Sequence, residues 1–284
     1  MAKTVNEALA FGSKYLKKFS SNRTEAEVLL SYVLKKSKTE LYKNIFDNID
    51  TSSYIKYKEL LRKRISGEPL YYITGKREFY GIQLSVANGA LIPRQETEIL
   101  VEEGLKFLKN NISTENNVLE IGVGCGAVSI ALCLNCPNVK IDATDISEEA
   151  ICIAKVNIEK YSLSDKITLY IGDLFSPIPT GKKYDLIISN PPYIPSERIK
   201  KLSKEVKAEP LIALNGGKEG LELINKILSS ANKFLKKNGL LLIEIDGGLQ
   251  ENKVKELFYL QGLRNIFVRK DLAGIPRVIG GYFL

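Results

Sequence analysis

The chain has no histidine in 284 residues, and that shortage narrows its chemistry before any motif is found. Ser-His-Asp and Cys-His catalysis are excluded, as is any histidine general base. Chemistry must come from a cofactor, carboxylates, amides, tyrosine, lysine or the backbone. Cysteine is scarce: Cys125, Cys133, Cys136 and Cys152. Cys133 and Cys136 form a C-x2-C, but no second pair follows, and a structural zinc site wants four ligands. No metal is expected, and the thiols read as small buried side chains in a reducing compartment. No run of about 18 apolar residues occurs, so no transmembrane helix is expected. The stretch from Met1 to Glu7 lacks an apolar core with a cleavage site, so no signal peptide is expected and the cytoplasm is the default.

The length suits one large or two modest domains. The net charge of +8 is uneven: the first 80 residues carry 16 Lys and Arg against 9 Asp and Glu, and the rest contribute only +1. A basic N-terminal part on a neutral remainder fits either a polyanionic or acidic partner or a solvated helical surface.

Residues 1–66 read as helices. Thr4 with Glu7, and Thr24 with Glu27, fit the capping-box spacing. Ala8, Phe11, Tyr15 and Leu16 recur at helical spacing, as do Val28, Leu29, Tyr32 and Val33. A shorter helix is expected over Leu41 to Phe46. Thr51, Ser52 and Ser53 are placed to cap another that runs to Ile65, with Gly67 at its C′ position. Residues 67–95 change character. Phe79, Ile82, Leu84 and Val86 are spaced for short strands and Asn88-Gly89 is a turn signal, so this stretch reads as a β-hairpin linker. From Val118 strands and helices alternate, with strands expected near 118–121, 139–143, 167–171, 184–189 and 239–245 and two more at the end. Such alternation means an α/β domain, residues 96–284, with a mostly parallel sheet. A ligand is expected at the carboxyl ends of the strands, where the strand order reverses.

Four motifs fall at those ends. Gly122, Val123, Gly124, Cys125 and Gly126 lie between a strand and a helix, where glycines let the backbone turn sharply and approach a ligand. Asp145 ends the next strand, placed to bind a ribose hydroxyl pair. Together they indicate an adenosine-containing cofactor. They do not decide which, since Gly122, Gly124 and Ala127 also satisfy the looser dinucleotide pattern of a dehydrogenase. Asp173 and Leu174 follow the third strand and suit either an adenine or an N-cap with core residues. The fourth motif, Asn190-Pro191-Pro192-Tyr193, follows the buried run 184–188. Two prolines lack N–H donors and fix φ near about −65°, so the backbone leaves the strand rigid with free carbonyls. Asn190 adds an amide oxygen and Tyr193 a flat face. Such a corner can accept both hydrogens of a planar NH2 group.

Together these residues resemble the Rossmann-like methyltransferases that use S-adenosyl-L-methionine on planar NH2 groups. The match narrows with Gly67-Glu68-Pro69, Tyr72-Ile73, Glu78-Phe79, Leu91-Ile92-Pro93-Arg94 with Glu96-Thr97-Glu98, Glu209-Pro210 with Ala213-Leu214 and Gly216-Gly217, Gly220-Leu221, and Asp271 to Gly274. These resemble the release factor glutamine N5-methyltransferases, from about residue 24 to the C-terminus. Gln95 departs from that family's usual proline, and Val123 and Cys125 from its small polar residues.

The resemblance implies a class I methyltransferase sheet, an N-terminal helical bundle (1–66) that binds the release factor and a hairpin linker (67–95). It implies a substrate, the glutamine of the Gly-Gly-Gln motif of class 1 peptide chain release factors. It places the cofactor on Gly122, Val123, Gly124, Cys125, Gly126, Asp145, Asp173, Leu174 and Asn190. It places the substrate amide on Asn190, Pro191, Pro192 and Tyr193, with Asn190, Pro191 and Tyr193 as the catalytic set. A monomer with no nucleic-acid substrate and no membrane partner is expected. The alternatives are methylation of another planar amine, such as adenine or a ribosomal-protein glutamine, and a cofactor-binding adaptor without turnover.

Overall fold

The computed structural model describes residues 3–111 and 114–284. The chain divides into two compact units, Met1–Gly75 with Ser203–Ala208, and Lys76–Leu202 with Glu209–Leu284.

The first unit contains β1 (Lys3–Thr4), α1 (Val5–Tyr15), α2 (Asn22–Leu34), α3 (Lys38–Lys43), β2 (Asn48–Ile49), α4 (Thr51–Ser66) and α5 (Leu70–Thr74). The Thr4 capping box forms. The Thr4 hydroxyl accepts from the Glu7 N–H at 3.2 Å, and the Glu7 carboxylate accepts from the Thr4 N–H at 3.1 Å, an arrangement worth about 1 kcal/mol. Val5, Ala8, Leu9 and Gly12 then form the buried stripe of α1. The Thr24 box does not form, because α2 begins at Asn22 with Ser21 in the cap position. Two other starts differ as well. Asp50, not Thr51, caps α4 by accepting from the Ser53 N–H at 2.8 Å. The short third helix begins at Lys38 under a Ser37–Glu40 capping box rather than at Leu41. Asp50 and Ser37 are both strong N-cap types, and each captures a helix start ahead of the residues that suggested it. Gly67 ends α4 at φ 110°.

The second unit opens with a two-stranded hairpin, β3 (Lys76–Phe79) and β4 (Ile82–Ser85). The stretch 67–95 therefore divides at Gly75, with α5 in the first unit and the hairpin in the second. A 3-10 turn (Gln95–Thr97) leads into α6 (Glu98–Asn110). The sheet is built from β5 (Asn116–Ile121), β6 (Val139–Asp145), β7 (Ile167–Ile171), β8 (Tyr184–Ser189), β9 (Leu235–Glu244), β10 (Leu263–Lys270) and β11 (Pro276–Phe283). Between them run α7 (Ala127–Asn135), α8 (Glu148–Lys160), the short α9 (Ser196–Ile199), α11 (Glu222–Ala231) and α12 (Gly248–Leu260), while the short α10 (Lys204–Lys207) lies in the segment that belongs to the first unit.

The sheet order is β10-β11-β9-β8-β5-β6-β7, with β9 to β7 parallel and β11 antiparallel to both its neighbours. Every residue of β8 is buried, as expected of a central parallel strand covered on both faces. α11 packs Ile224, Ile227, Leu228 and Ala231 onto the sheet at i, i+3, i+4 and i+7. The order reverses at β5, which is flanked by β8 on one side and β6 on the other. That is the switch point where a crevice opens in such sheets.

Candidate active site

All four motifs lie along one edge of the sheet and line one cleft of about 1000 Å³, open solvent included. The turn after β5 carries Gly122, Gly124 and Gly126 at φ 78°, 54° and 85°, so only residues without a Cβ take this path at little cost. The Gly122 and Val123 N–H groups both donate to the Thr144 carbonyl, at 2.8 and 3.0 Å, which seats the loop on β6. Asp145 ends β6. Its carboxylate accepts from the Gly124 N–H at 2.9 Å and the Ser147 N–H at 3.0 Å. Burial raises its pKa against those backbone donors. Each oxygen keeps a lone pair for a further donor. Gly172, Asp173 and Leu174 line the cleft beyond β7. The thiols of Cys125 and Cys133 are pushed up to about 12 by burial, which makes both inert.

The Asn190 corner follows β8, directly beside the glycine turn. Ile121 and Ser189 are register partners, and the Ser189 hydroxyl donates to the Ile121 carbonyl at 2.8 Å. Asn190, Pro191 and Pro192 line the cleft. Asn190 Nδ2 donates to Thr97 Oγ1 at 3.1 Å, and no donor among the described residues reaches Asn190 Oδ1 or the Pro191 carbonyl. Tyr193 stands one step back from the cleft lining and donates its hydroxyl to Glu244 Oε1 at 3.2 Å. Burial pushes its phenol pKa well up, so it is a neutral wall and not a base.

A second stretch cradles the corner. The Ile194 N–H donates to the Leu214 carbonyl and the Gly216 N–H to the Ile194 carbonyl, at 3.0 and 2.9 Å. A Cβ on Gly216 would lie 2.6 Å from the Pro192 carbonyl oxygen, and one on Gly220 would lie 2.1 Å from that of Tyr193. Both glycines are there because the corner's backbone needs their space.

Several supporting residues hold the site from elsewhere in the chain, and of these only Glu209 falls in a motif singled out in the sequence. Gln250 donates to the Tyr193 carbonyl at 3.0 Å and the Gly220 carbonyl at 3.2 Å. Asn157 accepts from the Ser85 N–H at 2.7 Å and donates to the carbonyls of Ser85 and Cys125, both at 2.9 Å. Glu209 accepts from the Ile92 N–H at 3.0 Å and pairs with Arg94 at 2.5 Å, holding the cleft-lining segment that contains Pro93.

Comparison with known proteins accords with this arrangement. Residues 7–75 match the family described as PrmC N-terminal domain, and residues 97–207 match the Methyltransferase small domain family. A release factor glutamine methyltransferase of Thermodesulfovibrio yellowstonii is 40% identical over 263 residues, spanning 92% of this chain and 93% of its own. The release factor glutamine methyltransferase of Clostridium acetobutylicum is 38% identical over 257 residues, spanning 90% and 89%. Among solved structures, a methyltransferase from Pyrococcus furiosus superposes with a TM-score of 0.52 at 20% identity, covering 81% of this chain and 98% of that one; it speaks for the fold alone. Among the described residues, no helix is long and apolar enough to cross a membrane. The identity to curated relatives, sustained over nine-tenths of the length on both sides, shows that the chain belongs to the release factor glutamine methyltransferase family.

Proposed function

We propose that the chain transfers a methyl group from S-adenosyl-L-methionine to the N5 amide nitrogen of the glutamine in the Gly-Gly-Gln motif of class 1 peptide chain release factors. The observation that carries this reading is the pair of free acceptors, Asn190 Oδ1 and the Pro191 carbonyl, at the rim of a cleft built on a glycine turn.

The cleft fits the cofactor. Thr144 lines the cleft, its buried Oγ1 has no hydrogen-bond partner among the described residues, and a Cβ on Gly124 would meet only open space. Gly122, Val123, Gly124, Cys125 and Gly126 would hold it along their backbone, Asp145 at its ribose, and Asp173 and Leu174 at its adenine. When bound, it supplies an electrophilic methyl group on a sulfonium.

The protein's own contribution is orientation. An amide nitrogen is a poor nucleophile because its lone pair is delocalised into the carbonyl. Asn190 Oδ1 and the Pro191 carbonyl accept its two hydrogens, which fixes the direction of the lone pair. They also face the positive charge that grows on nitrogen, as fixed dipoles that need no rearrangement. Pro192 walls in the glutamine stem, with Tyr193 backing it from one step behind. The nitrogen becomes acidic once methylated and loses its proton to solvent, so the lack of histidine is no obstacle. The first unit is the body that would meet the release factor, in the cytoplasm where translation ends.

The test is transfer of labelled methyl to purified release factor. Label should appear on the wild-type factor and not on one whose Gly-Gly-Gln glutamine is replaced. Label on the replaced factor, or on DNA or RNA in its place, would refute the assignment.

A further inference from the structure

Asn190 serves a planar NH2 group only if its oxygen, not its own NH2, faces the substrate. The two ends of an amide are nearly alike in shape and opposite in hydrogen-bonding sense, so something must choose between them. Thr97, 4% exposed, is the residue in place to do so, since its Oγ1 accepts from Asn190 Nδ2 at 3.1 Å. A hydroxyl can donate as well as accept. With its hydrogen uncommitted, Thr97 could donate to Asn190 Oδ1 and turn the amide the wrong way.

Glu244 removes that freedom. It ends β9 with 1% exposure. Tyr193 donates its hydroxyl to Oε1 at 3.2 Å, and the neighbouring Thr97 hydroxyl acts with it to favour the charged form. Oε2 is buried and accepts no hydrogen bond from the described residues, which leaves it open to the Thr97 hydrogen. We propose that Thr97 and Glu244 are positioning residues for methyl transfer: the Glu244 carboxylate commits the Thr97 hydroxyl's hydrogen, Thr97 can then only accept from Asn190, and Asn190 Oδ1 is held toward the substrate amide. The proposal rests on Asn190 being the amide acceptor.

Charged and titratable groups face Glu244 from each neighbouring element. Glu96 comes from the 3-10 turn, Arg277 from β11 (paired with Asp271 at 2.8 Å and Glu96 at 3.9 Å), and Tyr193 from the corner. Asp246, paired with Arg198, and Arg94, paired with Glu209, act on Tyr193. Burial outweighs the Thr97 and Tyr193 hydrogen bonds and pushes Glu244 up to about 7, with Glu96 adding to the rise and Arg277 opposing it. A protonated Glu244 no longer needs the Thr97 hydrogen, so kcat should climb as pH rises through neutrality.

The experiment measures kcat and KM for both substrates between pH 6 and 8 in Thr97→Val, Thr97→Ser and Glu244→Gln, with Asn190→Ala as control. Thr97→Val should lose about 10- to 100-fold in kcat, the worth of one acceptor held toward the nitrogen on which charge develops, with both KM values little changed. Thr97→Ser, which keeps the hydroxyl, should recover most of the rate. Glu244→Gln should lose the climb with pH, and it carries the test by itself if Thr97→Val fails to fold. Wild-type kcat in Thr97→Val, equal impairment of the serine variant, a loss confined to KM, or an unchanged pH profile in Glu244→Gln would each overturn the proposal. An active Asn190→Ala would instead refute the reading beneath it, so the two failures are distinguishable.

Discussion

Glu120 shows how a single side chain near the cleft couples pH to stability. It lies on β5, fully buried, and its carboxyl is bonded by the Ser129 N–H at 3.0 Å and by the Ser129 hydroxyl. Burial pushes its pKa up to about 8, against the Ser129 hydrogen bonds. The folded value lies above the unfolded one, so the folded state holds the proton more tightly. The resulting stability is fully present below the usual carboxylate pKa and is lost as pH rises through about 8. Glu120→Gln keeps the shape and removes the titration. The melting-temperature difference between variant and wild type should therefore shift in the variant's favour from pH 5 to pH 9. A constant difference over that range would mean that Glu120 is not protonated in the fold. Asp145→Ala tests another residue of the cleft: its loss should weaken S-adenosyl-L-methionine binding about tenfold or more, the worth of hydrogen bonds to a charged group. Unchanged affinity by calorimetry would count against its ribose role.

At the scale of elements, Asn157 ties three of them together. From α8 it bonds the edge of β4 through Ser85 and the glycine turn through Cys125. Asn157→Ala should leave the part-buried Ser85 N–H and carbonyl and the buried Cys125 carbonyl short of partners, at a cost of about 2–4 kcal/mol. It should also weaken cofactor binding, because the turn loses its anchor. Denaturant unfolding and calorimetry measure the two effects, and undiminished cofactor affinity in a folded variant would confine Asn157 to supporting the hairpin. The residue also marks the limit of what the sequence reveals. The strands, the Thr4 cap, the glycine turn and the Asn190 corner were legible because each is a local pattern: an apolar run, a three-residue spacing, a cluster of glycines or prolines. Asn157, Gln250 and Glu244 are single polar residues whose partners lie many tens of residues away, and no period or spacing announces them. Thr24 failed for a related reason. A capping box needs the helix to begin at that residue, and α2 already begins at Asn22.

At the scale of the whole molecule, the first unit is not one continuous stretch of chain. It takes in Ser203–Ala208, whose flanking residues belong to the second unit. One guanidinium ties that segment into the unit. Arg64, 1% exposed, donates to Glu25 at 2.7 and 3.1 Å and to Glu205 at 2.6 Å, with its guanidinium 4.0 Å from the Phe19 ring centroid. Removing one partner of a buried pair strands the other charge, at about 3–5 kcal/mol. The two carboxylates should not be equal. Glu25 is buried in the side-chain fork, whereas the Glu205 side chain is 34% exposed, and a partly hydrated pair is worth about 1 kcal/mol or less. Hydrogen exchange at the α2 and α4 amides should therefore speed up strongly in Arg64→Ala, which strands Glu25. It should speed up only modestly in Glu205→Ala, which leaves Arg64 its bidentate partner. Equal acceleration in the two variants would mean that the 203–208 segment, and not the Glu25 pair, carries the stability of the first unit.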